Sequence, residues 1–377
     1  MSLNESVIQY VDAHKQEAYD LLLTLAQIPA PSHNEEKRAE FCKKWLEDQG
    51  AKGVYIDEAL NVVYPIGCTD TNSVVVFMAH IDVVFPDTTP LPLRVEDGKI
   101  FCPGIGDDSA NVAALMSVAK YIAQKNLTPK DMGVVLVLNS CEEGLGNLKG
   151  SKHIMATYGN RVKEFVSFDG GARGMCVGAV GSKRYEVEVL TEGGHSYSAF
   201  GNRNAIAYLA SLISSLYDIK VPNRGKTTYN VGMISGGTSV NTIAQKASML
   251  YEFRSNDFED LAEMEQHFNS AIEYYRNKGI TINVNLVGDR PCAKPIDPEK
   301  HQVLINRALA AVKEHYDIDA HCGFGSTDCN TPLSMGIPSL TIGGYIGAKA
   351  HTREEYLEID SLHPGLKVIF DLVLHHF

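Results

Sequence analysis

Several absences bound this chain before any motif is read. It has no apolar run near the roughly 20 residues that a membrane-spanning helix requires, so no membrane partner is expected. Leu21-Leu22-Leu23 is interleaved with Asp20 and Gln27, so it belongs to an amphipathic pattern and no N-terminal stretch reads as a signal peptide. There is no CxxC pair. The eight cysteines are scattered, which fits a reduced, cytoplasmic compartment. There is no basic excess either: the net charge is −12, which argues against nucleic acid as a partner. Internal repeats and low-complexity segments are missing. What remains is an ordinary globular composition, 44% hydrophobic and 21% charged over 377 residues, enough for a large core and two domains.

Along the chain, residues 5–27 read as a helix stopped by Ile28-Pro29-Ala30-Pro31. Ser32-His33-Asn34-Glu35 is a capping-box pattern and opens a second helix that ends near Gly50. Four apolar runs then read as strands covered on both faces: 74–79, 133–138, 165–168 and 339–342. Helical patterns separate the first three. Strand alternating with helix predicts an α/β domain with a mixed, largely parallel sheet and helices on both faces. Between about 180 and 291 the style changes. Residues 185–189 and 280–286 alternate as half-exposed strands do, and the order is β-α-β-β-α-β, the ferredoxin-like unit. The expected organisation is a catalytic domain in two segments, 1–179 and 292–377, with 180–291 inserted. The insert's free sheet face predicts a homodimer through this domain.

The chemistry gathers at the strand ends. In an α/β sheet these point to one rim, where ligands bind. His80, Asp82, Glu142, Glu143 and Asp169 lie just past strand ends, Asp107 follows an intervening loop, and His351 follows the last loop. Taken singly, each has a plainer reading. A strand-end His is a polar rim residue, a Glu-Glu pair is solvated, and an Asp before Gly-Gly makes a turn. Gly104–Ala110, with Asp107-Asp108 before a helical pattern, reads as a capped helix start in which Ser109 or Asp108 caps the first turn. Cys141, beside Glu142, reads as a small buried residue at a strand end. Together, so many acids on one rim would repel one another unless cations neutralised them. Histidine and carboxylate ligands without thiolates suit zinc, with manganese and cobalt as alternatives. The ligand count allows two divalent ions sharing one acid, with one of Glu142 and Glu143 left unligated as general base.

Met78-Ala79-His80-Ile81-Asp82, Gly106-Asp107-Asp108, Cys141-Glu142-Glu143-Gly144, Asp169-Gly170-Gly171 and Ala350-His351-Thr352 resemble the co-catalytic dizinc exopeptidase family. That family includes peptidase T, bacterial glutamate carboxypeptidase, carnosinase-like dipeptidases, aminoacylase and succinyl-diaminopimelate desuccinylase. The resemblance implies that His80 and Asp169 bind one zinc, that Glu143 and His351 bind the other, and that Asp107 bridges both. It implies that Asp82 orients His80, that Glu142 shuttles the proton, and that the Asp107-Asp108 bond is cis. In the insert, Gly193-Gly194-His195-Ser196 resembles the family's lid motif, which makes His195 an oxyanion stabiliser acting from a partner subunit. Asn241 and Arg254 match positions that grip the substrate's carboxylate. Gly325-Ser326-Thr327-Asp328 matches a substrate-side loop, so Thr327 and Asp328 are expected to contact substrate. The chain departs from the pattern in two loops, where Ser198-Ala199-Phe200 and Thr242-Ile243 stand in place of the usual prolines.

The function these readings imply is metal-dependent hydrolysis of an amide bond next to a free terminus of a small peptide, by a peptidase T-like aminopeptidase or a dipeptidase. An N-acyl-amino-acid deacylase using the same chemistry is the alternative. A non-catalytic metal-binding scaffold is a third reading, which an intact Glu142 opposes.

Overall fold

The structure, a computed structural model, describes residues 3–70 and 72–377. The chain divides into two compact units: residues 1–179 with 294–377, and residues 180–293. No helix among the described residues is long and apolar enough to cross a membrane.

The first unit is built on an eight-stranded mixed sheet. Its order is Tyr55–Ile56, Val62–Ile66, Gly133–Asn139, Val74–His80, Val162–Ser167, Ser339–Ile342, Gly174–Ala179, His321–Gly325. The four central strands in that order carry the four apolar runs of the sequence, with Phe168 just past its strand, and they are mutually parallel. Every residue of Val74–His80 and of Gly133–Asn139 is buried. A parallel strand is covered on both faces, so its side chains cannot alternate with water and the sequence reads as an unbroken apolar run. Each fully buried Val, Leu or Met contributes about 1.5–3 kcal/mol of transfer free energy. Pairing of His80 with Asn139, and of Met78 with Ser167, brings the carboxyl ends of the three adjacent strands level.

Two helix starts differ from the expected ones. The second helix runs Glu36–Asp48, but Glu35 stands at its N-cap with helical φ/ψ and makes no side-chain cap hydrogen bond. Ser32 also turns elsewhere, donating to Asp82 Oδ2 at 2.6 Å. The helix Asn111–Lys125 has no side-chain cap from Asp108 or Ser109. The chain enters it through a wound segment, Ile105–Ala110, in which Asp107 and Asp108 are not helical. Ser32 and Asp108 are drawn into longer-range contacts that outbid the local cap, Asp108 accepting from His80 N at 3.0 Å.

The second unit has a four-stranded antiparallel sheet in the order Thr227–Gly236, Lys246–Ser255, Gly181–Leu190, Thr281–Arg290. This is the ferredoxin-like order, with helices Ala205–Tyr217 and Phe258–Asn277 on one face. Asn204 caps the first of these, accepting from Ile206 N at 2.9 Å, and Asp257 caps the second. Phe268 is fully buried and stacks on Tyr185, ring centroids 4.2 Å apart.

Candidate active site

The centre of the site is Asp107. Its Oδ1 lies 3.0 Å from His80 Nε2, and its Oδ2 lies 3.0 Å from His351 Nε2. One carboxylate therefore faces two imidazoles, one through each oxygen. His80 is the last residue of its strand and is buried. His351 sits in a turn at φ 63. The Asp107-Asp108 peptide bond is cis. The glycines before it are required by close approach. A Cβ on Gly106 would come 2.5 Å from the Tyr345 ring, and Gly104 has φ +76.

Glu143 follows the strand Gly133–Asn139 and is buried. Its Oε1 lies 3.1 Å from His351 Nε2 yet makes no aligned hydrogen bond. His80, Asp107 and Glu143 offer ligand atoms within 4.8 Å of one another, and so do His80, Asp108 and Asp169. All of these groups come from the first unit.

The electrostatics are those of a site short of positive charge. Burial and the neighbouring Asp107 push the Asp169 carboxyl up to about 7. Asp107 and Glu143 hold the proton on His351, raising it to about 11. Burial disfavours a charged His80, but Asp108, Asp107 and Asp82 outweigh it and raise its pKa well above the usual range. Divalent cations would relieve the mutual repulsion of these acids. The nitrogen and oxygen donor set, with the orphaned buried Glu143 Oε1, fits such ions.

Asp82 does more than face His80. His80 Nδ1 is 3.0 Å from the Asp82 main-chain oxygen and 3.5 Å from its Oδ1. The carboxylate itself accepts the main-chain N–H groups of Glu142 and Glu143, each at 3.0 Å, as well as the Ser32 hydroxyl. Glu35 extends this row. Its Oε1 accepts from Cys141 N at 3.0 Å, and Cys141 holds φ 57. Two buried carboxylates thus accept three consecutive N–H groups beneath Glu142, which is itself 5% exposed. From the same helix as Glu35, the buried Arg38 donates to the Ile81 carbonyl at 2.9 Å, fixing the turn between His80 and Asp82.

Sequence reasoning missed Glu355. It is 1% exposed, and its carboxylate accepts from Gly104 N at 2.6 Å and from Gly106 N and Asp107 N, each at 2.9 Å. Lying four residues past His351, it ties the two ligand loops together. Burial pushes it up to about 7 despite the three donors. Glu355→Gln turns one acceptor oxygen into a donor that faces an N–H. We expect metal affinity to fall about 10–100-fold in competition with a chelator, with a stability loss of about 1–3 kcal/mol in urea. Unchanged metal affinity would make Glu355 a structural residue only. Asn111 is a similar support, donating to Asp108 Oδ1 at 2.6 Å and to Gly170 O at 3.1 Å, and accepting from Gly344 N at 2.8 Å. The only signal of these residues in the sequence is their closeness to ligand motifs.

Asp328 is wholly buried, accepts from Asn139 Nδ2 at 2.6 Å, and is pushed up to about 6 by burial. Thr327 does line a cavity beside Asp169, with its hydroxyl 2.7 Å from that of Thr341. His195, Asn241 and Arg254 belong to the second unit. His195 Nδ1 accepts from Tyr197 N and Ser198 N, which leaves the ring proton on Nε2. Asn241 Oδ1 accepts from Ser239 Oγ. Arg254 places its fork on Glu252, at 3.2 and 3.0 Å, so a carboxylate of the chain itself occupies the expected grip.

A model of Peptidase family M20/M25/M40 matches residues 76–375. The chain is 24% identical over 359 residues to the uncharacterized protein YqjE of Bacillus subtilis, covering 90% of this chain and 93% of that one. Among solved structures, a tripeptidase from Staphylococcus aureus matches with a TM-score of 0.76 and 23% identity, over 95% of this chain and 97% of that one. The YXEP protein of Bacillus subtilis, a dinuclear metal-binding peptidase, matches with a TM-score of 0.67 and 17% identity, over 97% and 98%. At these identities the two structural matches speak for the fold.

Proposed function

Because the chain belongs to Peptidase family M20/M25/M40, a family of metallopeptidases, we propose that it is a two-metal exopeptidase of small peptides, peptidase T-like or a dipeptidase, working in the cytoplasm. The observation that carries this reading is Asp107, with one oxygen 3.0 Å from each of two imidazoles. His80 and Asp169 would hold one ion, Glu143 and His351 the other, and Asp107 both, with zinc as the first choice. When bound, such ions polarise the scissile carbonyl and lower the pKa of water.

The chain's own residues do the rest. Glu142 takes a proton from the attacking water and delivers it to the leaving amine nitrogen. Asp82 and Glu35 keep Glu142 in place by holding the main chain beneath it. His195, from a partner subunit, donates through Nε2 to the oxyanion as the carbonyl carbon becomes tetrahedral. Asn241 hydrogen-bonds the substrate, and Arg254 exchanges Glu252 for the substrate's terminal carboxylate. The neighbouring solved tripeptidase and dinuclear peptidase support the substrate class and the metal count. Residues 180–293 would also pair two copies into a homodimer. Met233 and Ile234, 66% and 60% exposed on the edge strand Thr227–Gly236, support a second copy as partner.

The test is a chelated protein reloaded with zinc, manganese or cobalt and assayed on di- and tripeptides beside N-acetyl and N-succinyl amino acids. Peptide hydrolysis that returns with metal is the expected result. Turnover of acyl substrates alone would make the chain a deacylase, and no turnover with any metal would make it a scaffold.

A further inference from the structure

A cavity of about 440 Å³ opens beside Asp169 in the first unit. Its walls include Arg173, His321, Phe324, Thr327 and Tyr345. Arg173 and His321 are held side by side, since His321 N donates to the Arg173 carbonyl at 3.2 Å. The His321 ring lies over Gly174, where a Cβ would meet it at 3.4 Å.

Arg173 differs from the other arginines of the chain. The other eleven arginines all have interaction partners: main-chain carbonyls for Arg38 and Arg161, and carboxylates for most of the others. Arg173 is exposed and has none among the described residues. In a chain with 46 acidic and 34 basic residues, a guanidinium left unpaired is a departure from the pattern. It stands on the wall of a cavity that begins at a residue assigned to a metal. Among the described residues Asp169 is the only carboxylate on that wall, and under the proposed function its charge is taken up by the ion. The wall then carries net positive charge, with aromatic surface from Phe324 and Tyr345.

We propose that this cavity receives the substrate residue next to the scissile bond, and that Arg173, flanked by His321, binds a carboxylate on it. The inference rests on the exopeptidase reading and names its substrate class: small peptides bearing a carboxylate, either as an acidic side chain or, where Arg254 stays on Glu252, as a free C-terminus. The guanidinium fork matches a carboxylate through two parallel N–H donors, whereas an amide offers only one acceptor oxygen.

The experiment measures kcat/KM on peptide pairs matched in size. Glutamyl and glutaminyl dipeptides form one pair, and free and amidated C-termini form the other. Each is assayed with the wild-type chain, Arg173→Met and Arg173→Lys. The wild type is expected to prefer the carboxylate member of one pair by about 10- to 100-fold. Arg173→Met collapses that ratio and Arg173→Lys restores part of it. The pair that responds identifies the source of the carboxylate. Calorimetric binding of free glutamate against glutamine gives a readout that needs no turnover. Equal kcat/KM within both pairs, or a preference that survives Arg173→Met, overturns the inference. Loss of glutamate binding in Arg173→Met without any peptide hydrolysis would sustain the pocket and sink the exopeptidase reading. Arg173 makes no contact that folding depends on, so the variants are expected to fold, which circular dichroism checks.

Discussion

Glu142→Gln should lower kcat by about 10²–10⁴ while leaving two metal ions per chain. The glutamine keeps the size and shape of the side chain but cannot accept a proton. Glu142 is 5% exposed, and its main-chain N–H is fixed by Asp82 Oδ1 at 3.0 Å. The substitution therefore removes the proposed base without releasing the loop. The adjacent Glu143, with its oxygen 3.1 Å from His351 Nε2, stays on the metal side. Kinetics on a dipeptide substrate, with metal content from elemental analysis, separate the two functions. A Gln variant that retains full rate would remove Glu142 from the mechanism. A variant that loses metal together with rate would move it into the ligand set.

Asp107→Ala should be more severe. It removes the one group that both imidazoles face, so metal content should fall from two ions to at most one. Losing several kcal/mol of carbonyl polarisation corresponds to a fall in kcat/KM of about 10³-fold or more. The Asp107 carboxyl is held far below the usual carboxylate range, because hydrogen bonds and charge from His351 and His80 outweigh the cost of its burial. In the metal-free chain its loss leaves two imidazoles that no longer share an anion, and both should then titrate closer to an ordinary histidine. Imidazole titrations followed by nuclear magnetic resonance, beside the metal count, check this. Two tightly bound ions in the Ala variant would exclude Asp107 as the shared ligand.

Legibility from sequence tracks the range of the interaction involved. The strands Val74–His80 and Gly133–Asn139 were plain because burial on both faces demands continuous apolar residues, a property of neighbours in the chain. The ferredoxin-like insert was plain for the opposite reason: one covered face imposes alternation. The two helix starts were misread because a Ser or an acid three residues before a helix looks the same whether it caps that helix or reaches across the fold. Ser32 reaches Asp82, 50 residues on, and Glu35 reaches Cys141, 106 residues on. For Asp328 the motif gave a loop position, and only packing brought its carboxylate to Asn139.

For this chain, sequence alone determined the α/β class, the inserted unit, and the set of histidines and carboxylates that ends the parallel strands, because each follows from local pattern and spacing. Tertiary structure decided which carboxylates hold and which are held. Glu355 supports Asp107 from 248 positions away, Glu35 and Asp82 carry the loop of Glu142, and Arg173 is left unpaired on a cavity wall. A buried carboxylate needs N–H donors, and which donors come within 3 Å of it is fixed only once distant segments have packed together.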